Sequence, residues 1–206
     1  MSRKLVYFDV NGYTEAVRYI LHYSGLKFED VRIDFNSFGK IKESLPYGQV
    51  PIYEENGRKL NQSMAITRYV ASQTGLLPSD PWEQAILDAA VLTIYDFIQK
   101  LVAFYWCPVN KKEDKEVNKK AMDEATPYFL SRFEKELKAG GGHFGGKLSW
   151  ADFVFVGVVE MFNLYLDDPI HTGYPAVTAL VSEIQGLPGV KEYIANRKPY
   201  VRPVAP

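Results

Sequence analysis

Every stretch of this chain that reads as a β-strand lies before residue 62, and nothing after "GLLPSDPWEQ", residues 75–84, reads as anything but helix and loop. That partition limits the possible folds more than any single motif does. A segment that mixes strands and helices closes a layered core of its own, whereas a purely helical segment buries its apolar faces helix on helix. The expected architecture is therefore α/β plus all-α, with one domain over 1–77 and a second over 78–206. The 206 residues are 47% hydrophobic and 24% charged, which is enough apolar material for a core in each unit.

In the first unit, residues 5–8 form a short β-branched and aromatic run. "EAVRYILHY" then sets Ala16, Ile20 and Tyr23 at helical spacing, with Val17 and Leu21 beside them. Residues 28–33 alternate as a strand does, and residues 36–45 read as an irregular, partly helical link. Two further strands, 50–53 and 59–60, flank "EENG", whose Asn56-Gly57 pair is a hairpin signal. "QSMAITRYVASQTG" is a helix capped by Ser63 and stopped at Gly75. In the second unit Asp80 is the N-cap, Pro81 the first helical residue and Glu83 the capping-box partner of a long helix ending near Cys107. A second helix is expected over 115–139, kinked at Pro127. "AGGGHFGGK" is a loop. "SWADFVFVGVVEMFNLYL", capped by Ser149 with Asp152 at its third position, is apolar nearly all round, so it is expected to be the buried central helix. "YPAVTALVSEIQG" and "PGVKEYIANR" read as shorter helices.

The charge balance, Lys+Arg 24 against Asp+Glu 25, argues against a nucleic-acid or anionic-membrane partner, which favours a one-signed surface. A single cysteine, Cys107, excludes an internal disulfide, and His22, His143 and His171 lack metal-ligand spacing. No apolar run reaches the roughly 20 residues that span a bilayer, and the first ten residues lack the pattern of a signal peptide. A cytoplasmic protein is the expectation.

Three features have two readings each. Pro51 stands within an apolar segment, where a ladder N–H is missing. Either the segment is an edge strand, or a cis Val50-Pro51 bond turns the Val50 backbone outward to pair with a peptide-like ligand. Ser63 is either a simple cap, or Gln62 and Ser63 open a helix whose free N–H groups take a carboxylate. Tyr7 is either packing in a first strand or a functional phenol at its end.

Together "YFDVNGYTEAVRYIL", "FEDVRI", "LPYGQVPI", "LNQSMAITRYVA", "DAAVLTIYDF" and "KLSWADF" resemble cytosolic glutathione transferases along essentially the whole chain, and most closely the sigma class. The resemblance implies a thioredoxin-like N-terminal domain, an all-helical C-terminal domain and a homodimer. It implies glutathione as co-substrate, no further cofactor or metal, and a small hydrophobic electrophile as second substrate. Sigma-class relatives include conjugating enzymes, prostaglandin D synthases and lens crystallins, so peroxidase or isomerase activity and a weakly catalytic binding role stand beside conjugation. By position, Tyr7 matches the catalytic tyrosine that donates to the glutathione sulfur. Val50 and Pro51 match the backbone that pairs with the cysteinyl unit, and Gln62 and Ser63 match the residues holding the γ-glutamyl carboxylate. Lys42 and Gln49 match the glycine end, and Asp96 matches an acid that reaches across the dimer. Phe38 stands where a tryptophan is usual, Tyr13 where an arginine is common near the sulfur, and Asn11 where a basic residue is frequent. Phe8, Tyr13, Tyr95 and Ile98 are the expected electrophile contacts, with Tyr105 and Val154 as further candidates.

Overall fold

The computed structural model describes residues 2–108 and 110–203, so the last three residues of the expected second domain lie outside the described residues. Four strands, β1 (Arg3–Phe8), β2 (Glu29–Ile33), β3 (Ile52–Glu55) and β4 (Arg58–Asn61), form one sheet in the order β2-β1-β3-β4. β1 runs parallel to β2 and antiparallel to β3, and β3 and β4 form the hairpin turned by Asn56-Gly57, both at positive φ. The helices of this half are α1 (Glu15–Tyr23), α2 (Phe35–Ile41) and α3 (Ser63–Ser72). Beyond them come only helices: α4 (Pro81–Tyr105), α5 (Lys112–Ala139), α6 (Trp150–Leu166), α7 (Pro175–Gly186) and α8 (Val190–Asn196).

The expected strand over 50–53 is displaced. β3 begins at Ile52, so Val50 and Pro51 stand before the ladder rather than in it. β3 is also a central strand, flanked by β1 and β4, which removes the edge-strand explanation of the proline. The Val50-Pro51 peptide bond is cis. A second correction falls on Ser63, which is the first residue of α3. Gln62 occupies the cap position at φ 72°, and no side-chain cap bond forms. The link expected over 36–45 contains a full helix, α2, capped by the Asp34 carboxylate on the Ser37 N–H at 2.6 Å. α5 starts three residues earlier than expected and runs as one helix through Pro127.

α6 is the expected buried centre, with its first ten residues all buried and Glu160, the next, partly exposed. The Asp152 carboxylate accepts from the Ser149 N–H at 2.7 Å and from the Phe144 N–H at 3.0 Å, which ties the glycine-rich loop to the helix start. Phe162 stacks on Phe97 of α4 at 4.2 Å, and Phe155 meets Phe133 of α5 at 5.0 Å. Each such ring contributes roughly 1.5–3 kcal/mol by leaving water. The two halves meet where α1 packs on α6. A Cβ at Gly157 would stand 3.2 Å from the Ala16 nitrogen, so the absent side chain sets how closely the helices approach.

A buried ionic cluster crosses the same seam. Glu15 and Arg18 of α1 are both fully buried and pair at 3.2 Å. Arg18 also reaches Asp30 of β2 at 3.2 Å, and Arg197 joins Glu15 to Glu160 of α6. Tyr200 donates to Glu15 at 2.6 Å, which fixes the segment after α8 against the first half. The three histidines are scattered, as their spacing implied. His22 stacks on Tyr193 at 4.3 Å, His143 lies between Asp152 and Glu183, and His171 pairs with Asn163. Among the described residues no helix is long and apolar enough to cross a membrane.

Candidate active site

β1 delivers Tyr7 to the end of the sheet, where the chain turns through Asn11 and Gly12 into α1. Asn11 is fully buried, and its Oδ1 accepts the Gly12 N–H at 2.8 Å, so it shapes the turn rather than acting as a charged group near a ligand. Gly12 has φ +44°, and a Cβ there would sit 2.9 Å from the Tyr7 hydroxyl. Only glycine lets the turn close onto that oxygen. Arg18 holds the same segment from below through the Val10 carbonyl at 2.8 Å, and its guanidinium lies 6.0 Å from the Tyr7 ring centroid.

Burial pushes the Tyr7 phenol above its ordinary value. The backbone N–H of Tyr13, which donates to the Tyr7 oxygen, and the Arg18 charge oppose that rise without cancelling it. The group is a neutral phenol whose lone pair is engaged and whose own proton is left to donate. Burial likewise pushes Tyr13 up to about 12, with the nearby Tyr95 adding to the rise and a bond to the Gln99 side chain opposing it.

Two adjoining cavities open at this point. The larger, about 700 Å³, is lined on one side by Gln49, Val50, Pro51, Asn61, Gln62, Ser63 and Met64. On the other side stand Phe8, Tyr13, Phe35, Phe38, Leu92 and Tyr95. The Ser63, Met64 and Ala65 N–H groups precede the first bond of α3, Ile66 N–H to the Gln62 carbonyl at 2.9 Å, so the helix start is free to receive an anion. Gln62 is held in a backbone region that costs a non-glycine residue about 1–3 kcal/mol, a form of strain that concentrates at ligand-binding positions. The smaller cavity, about 270 Å³, is lined by Tyr7, Val10, Gly12, Val102, Trp106, Met161, Tyr165 and Pro203, and shares Phe8, Tyr13 and Phe35 with its neighbour.

The structure therefore brings Phe8, Tyr13, Phe38, Gln49, Val50, Pro51, Gln62, Ser63 and Tyr95 to the larger cavity and Tyr7 to the smaller. Several expected residues stand elsewhere. Ile98 and Val154, expected at the electrophile, are buried in the helical core at 0% and 3% exposure because they face neighbouring helices. Tyr105 is buried, with its hydroxyl donated to the Pro203 carbonyl. Lys42 is exposed and packs its stem beside Gly48 rather than lining the cleft. Asp96 is exposed on the face of α4 that carries Leu92 and Tyr95, outside both cavities. Phe35, Val102, Trp106, Met161, Tyr165 and Pro203 had no local signal in the sequence. Only the folding of five distant segments around one space makes them neighbours.

Comparison with known proteins agrees with this geometry. Residues 3–72 match the family description "Glutathione S-transferase, N-terminal domain", and residues 95–197 match "Glutathione S-transferase, C-terminal domain". Glutathione S-transferase S1 of Drosophila melanogaster is 33% identical over 95% of this chain and 79% of its own length. Hematopoietic prostaglandin D synthase of Gallus gallus is 34% identical over 94% of this chain and 96% of its own. A solved structure, prostaglandin synthase D of Nilaparvata lugens, superposes with a TM-score of 0.91 at 32% identity, covering 97% of this chain and 100% of that one. With a thioredoxin-like half, an all-helical half and these relatives along nearly its whole length, the chain belongs to the glutathione S-transferase family and is a transferase that uses glutathione as substrate.

Proposed function

We propose that Tyr7 activates glutathione by donating its O–H to the sulfur, with the tripeptide in the larger cavity and a hydrophobic electrophile in the smaller. The observation that carries this reading is the Tyr7 hydroxyl itself. It is backed by Gly12, takes the Tyr13 N–H and keeps its own proton for the cavity. Val50, with Pro51 beside it, offers unladdered backbone to the cysteinyl unit, and Gln62, Ser63 and the start of α3 receive the γ-glutamyl carboxylate. Gln49 and Phe38 border the glycine end, where Phe38 supplies packing but no hydrogen-bond donor. Lys42 acts at that end only if its exposed side chain swings in. Phe8 and Tyr13, which line both cavities, contact the electrophile, and Tyr95 stands beside Tyr13 at the larger cavity.

The chemical problem is thiolate supply. A free thiol ionises near pH 8.5 and is only a few per cent anionic at neutrality. A hydrogen bond to a charged group contributes about 1.5–3 kcal/mol, and one pKa unit corresponds to about 1.4 kcal/mol. Tyr7 alone therefore lowers the thiol value by roughly one to two units, enough to ionise much of the bound thiol. No metal or redox cofactor is needed for that step. Conjugation is the favoured reaction. Isomerisation of a peroxide-containing lipid uses the same thiolate, and the relatives named prostaglandin D synthase support that variant. A binding role without catalysis is not favoured, because relatives matching nearly the full chain carry enzyme names.

We place the domain boundary at 77/78 and read the protein as a cytoplasmic homodimer. The apolar, exposed Leu92 and Tyr95 beside Asp96 on α4 support a second copy seated there. Tyr7→Phe tests the central claim. Turnover is expected to fall by about 10–100-fold with little change in glutathione affinity. Undiminished turnover in steady-state assays would remove Tyr7 from the mechanism.

A further inference from the structure

Among the described residues the larger cavity is lined by no charged side chain. Its polar lining is Ser63, two phenols and the amides of Gln49, Asn61 and Gln62. Glutathione brings two carboxylates to this space, both ionised near neutrality because α-carboxyl groups titrate below about pH 4. The open N–H groups at the start of α3 receive one of them. Nothing equivalent waits for the other. On the side of α2 the wall is Phe35 and Phe38, whose rings lie on Phe8 at 4.8 and 5.3 Å. The cations of β2 and of the segment after it stand elsewhere. Arg32 pairs with Asp9 and Asp30, each at 2.9 Å. Lys40 and Lys42 are exposed, the stem of Lys42 lies beside Gly48, and neither lines the cavity. This wall is also open to water. Residues 34–50 include no buried residue, and Phe35 is 64% exposed. A carboxylate pressed against rings without a partner is costly to desolvate, so the ion stays in the water at this mouth.

We infer that the site does not read the C-terminal carboxylate of its thiol substrate, and takes γ-glutamylcysteinyl thiols with a neutral, esterified or extended C-terminal end as readily as glutathione. The inference rests on the reading of the larger cavity as the glutathione site. The γ-glutamylcysteinyl part is the portion held by main chain, at Val50 and at the start of α3. The glycine end passes Phe38 and Phe35 into solvent. Gln49 offers a neutral amide there, which donates to an ester carbonyl as well as to a carboxylate.

The test measures kcat/KM for three thiols against 1-chloro-2,4-dinitrobenzene. They are glutathione, its glycine ethyl ester, and 4-aminobutyryl-cysteinylglycine, which lacks only the γ-glutamyl carboxylate. Losing a charge-assisted bond lowers kcat/KM by roughly 10–100-fold. The ester is expected within about threefold of glutathione, and the aminobutyryl thiol about tenfold or more below it. An ester that falls as far as the aminobutyryl thiol overturns the inference, while turnover of glutathione leaves the reading of the cavity standing. If neither analogue falls, the role of α3 fails and the unread glycine end is upheld. If glutathione itself is not turned over, both fail together. Two variants sharpen the result. Lys42→Ala is expected to keep the glutathione-to-ester ratio of the parent. A loss on glutathione that spares the ester would show the lysine reaching the carboxylate, and would overturn the inference. Phe38→Lys places a cation on a partly exposed wall, and is expected to raise that ratio about tenfold. An unchanged ratio would put the C-terminal end elsewhere and would also overturn the inference.

Discussion

The two cavities that share Phe8, Tyr13 and Phe35 are built by different means. One wall of the larger is made of consecutive residues, 49–51 and 61–64, and offers main chain: the backbone before β3 and the open N–H groups of α3. The smaller is made of side chains from β1, the turn before α1, α4, α6 and the segment beyond α8. A site made of backbone in a fixed local conformation recognises one constant ligand. A site made of converging side chains changes its specificity with each substitution and leaves the neighbouring site intact. Tyr7 lines the smaller, next to the shared Phe8, and a sulfur held by the first must face a carbon held by the second.

That division can be broken from beneath. Arg18 is fully buried and holds Glu15, Asp30 and the Val10 carbonyl together under both cavities. Arg18→Ala leaves buried acids without their partner and is expected to cost about 3–5 kcal/mol in chemical denaturation, with loss of both activities. A stable variant with normal kinetics would show that the cavities do not share this support.

Gly12→Ala acts at the seam alone. The new methyl meets the Tyr7 hydroxyl, and the positive φ adds strain. Turnover is expected to fall by about 10–100-fold, with glutathione retained on an affinity matrix because the backbone site is untouched. Ser63→Ala should do the reverse. KM for glutathione is expected to rise about tenfold while the ranking of electrophiles stays fixed, since only a hydroxyl beside a carboxylate is lost. A changed ranking would mean the two cavities are not separable.

The smallest effect is one of pH. Because burial holds the Tyr7 phenol above its ordinary value of about 10, Tyr7 remains a donor throughout the neutral and mildly alkaline range. The rate of conjugation should rise as the bound thiol ionises and then stay level to about pH 10. Loss of the donor belongs above that value. A descending limb between pH 8 and 9 in Tyr7 protein that is absent from Tyr7→Phe would contradict the neutral-phenol assignment.

The same contrast explains what the sequence made legible. Residues 50–51 and 62–63 were visible as local anomalies, a proline in an apolar run and a helix start, because backbone chemistry is written in neighbouring residues. Asp80 and the Ser149–Asp152 pair were visible for the same reason, and both form the expected cap contacts. Ile98 misled because a residue on a helix beside the cleft reads the same whether it faces the cleft or the neighbouring helix. Ser63 was placed one position early because the strained Gln62 takes the cap position, and no propensity favours a glutamine there.

By itself the amino-acid sequence determined the division into a strand-bearing half and a helical half, most of the helix limits, and the backbone elements suited to an extended peptide. These follow from hydrophobic period, capping residues and turn glycines, all of which act over a few residues. Tertiary structure alone decided that β3 is central, that Arg18 lies under Tyr7, and that Tyr165 and Pro203 reach the same space as residue 7. Tyr165 and Pro203 stand more than 150 residues from Tyr7 in the chain. Such contacts are selected by packing and charge burial across the whole fold, which no local pattern encodes.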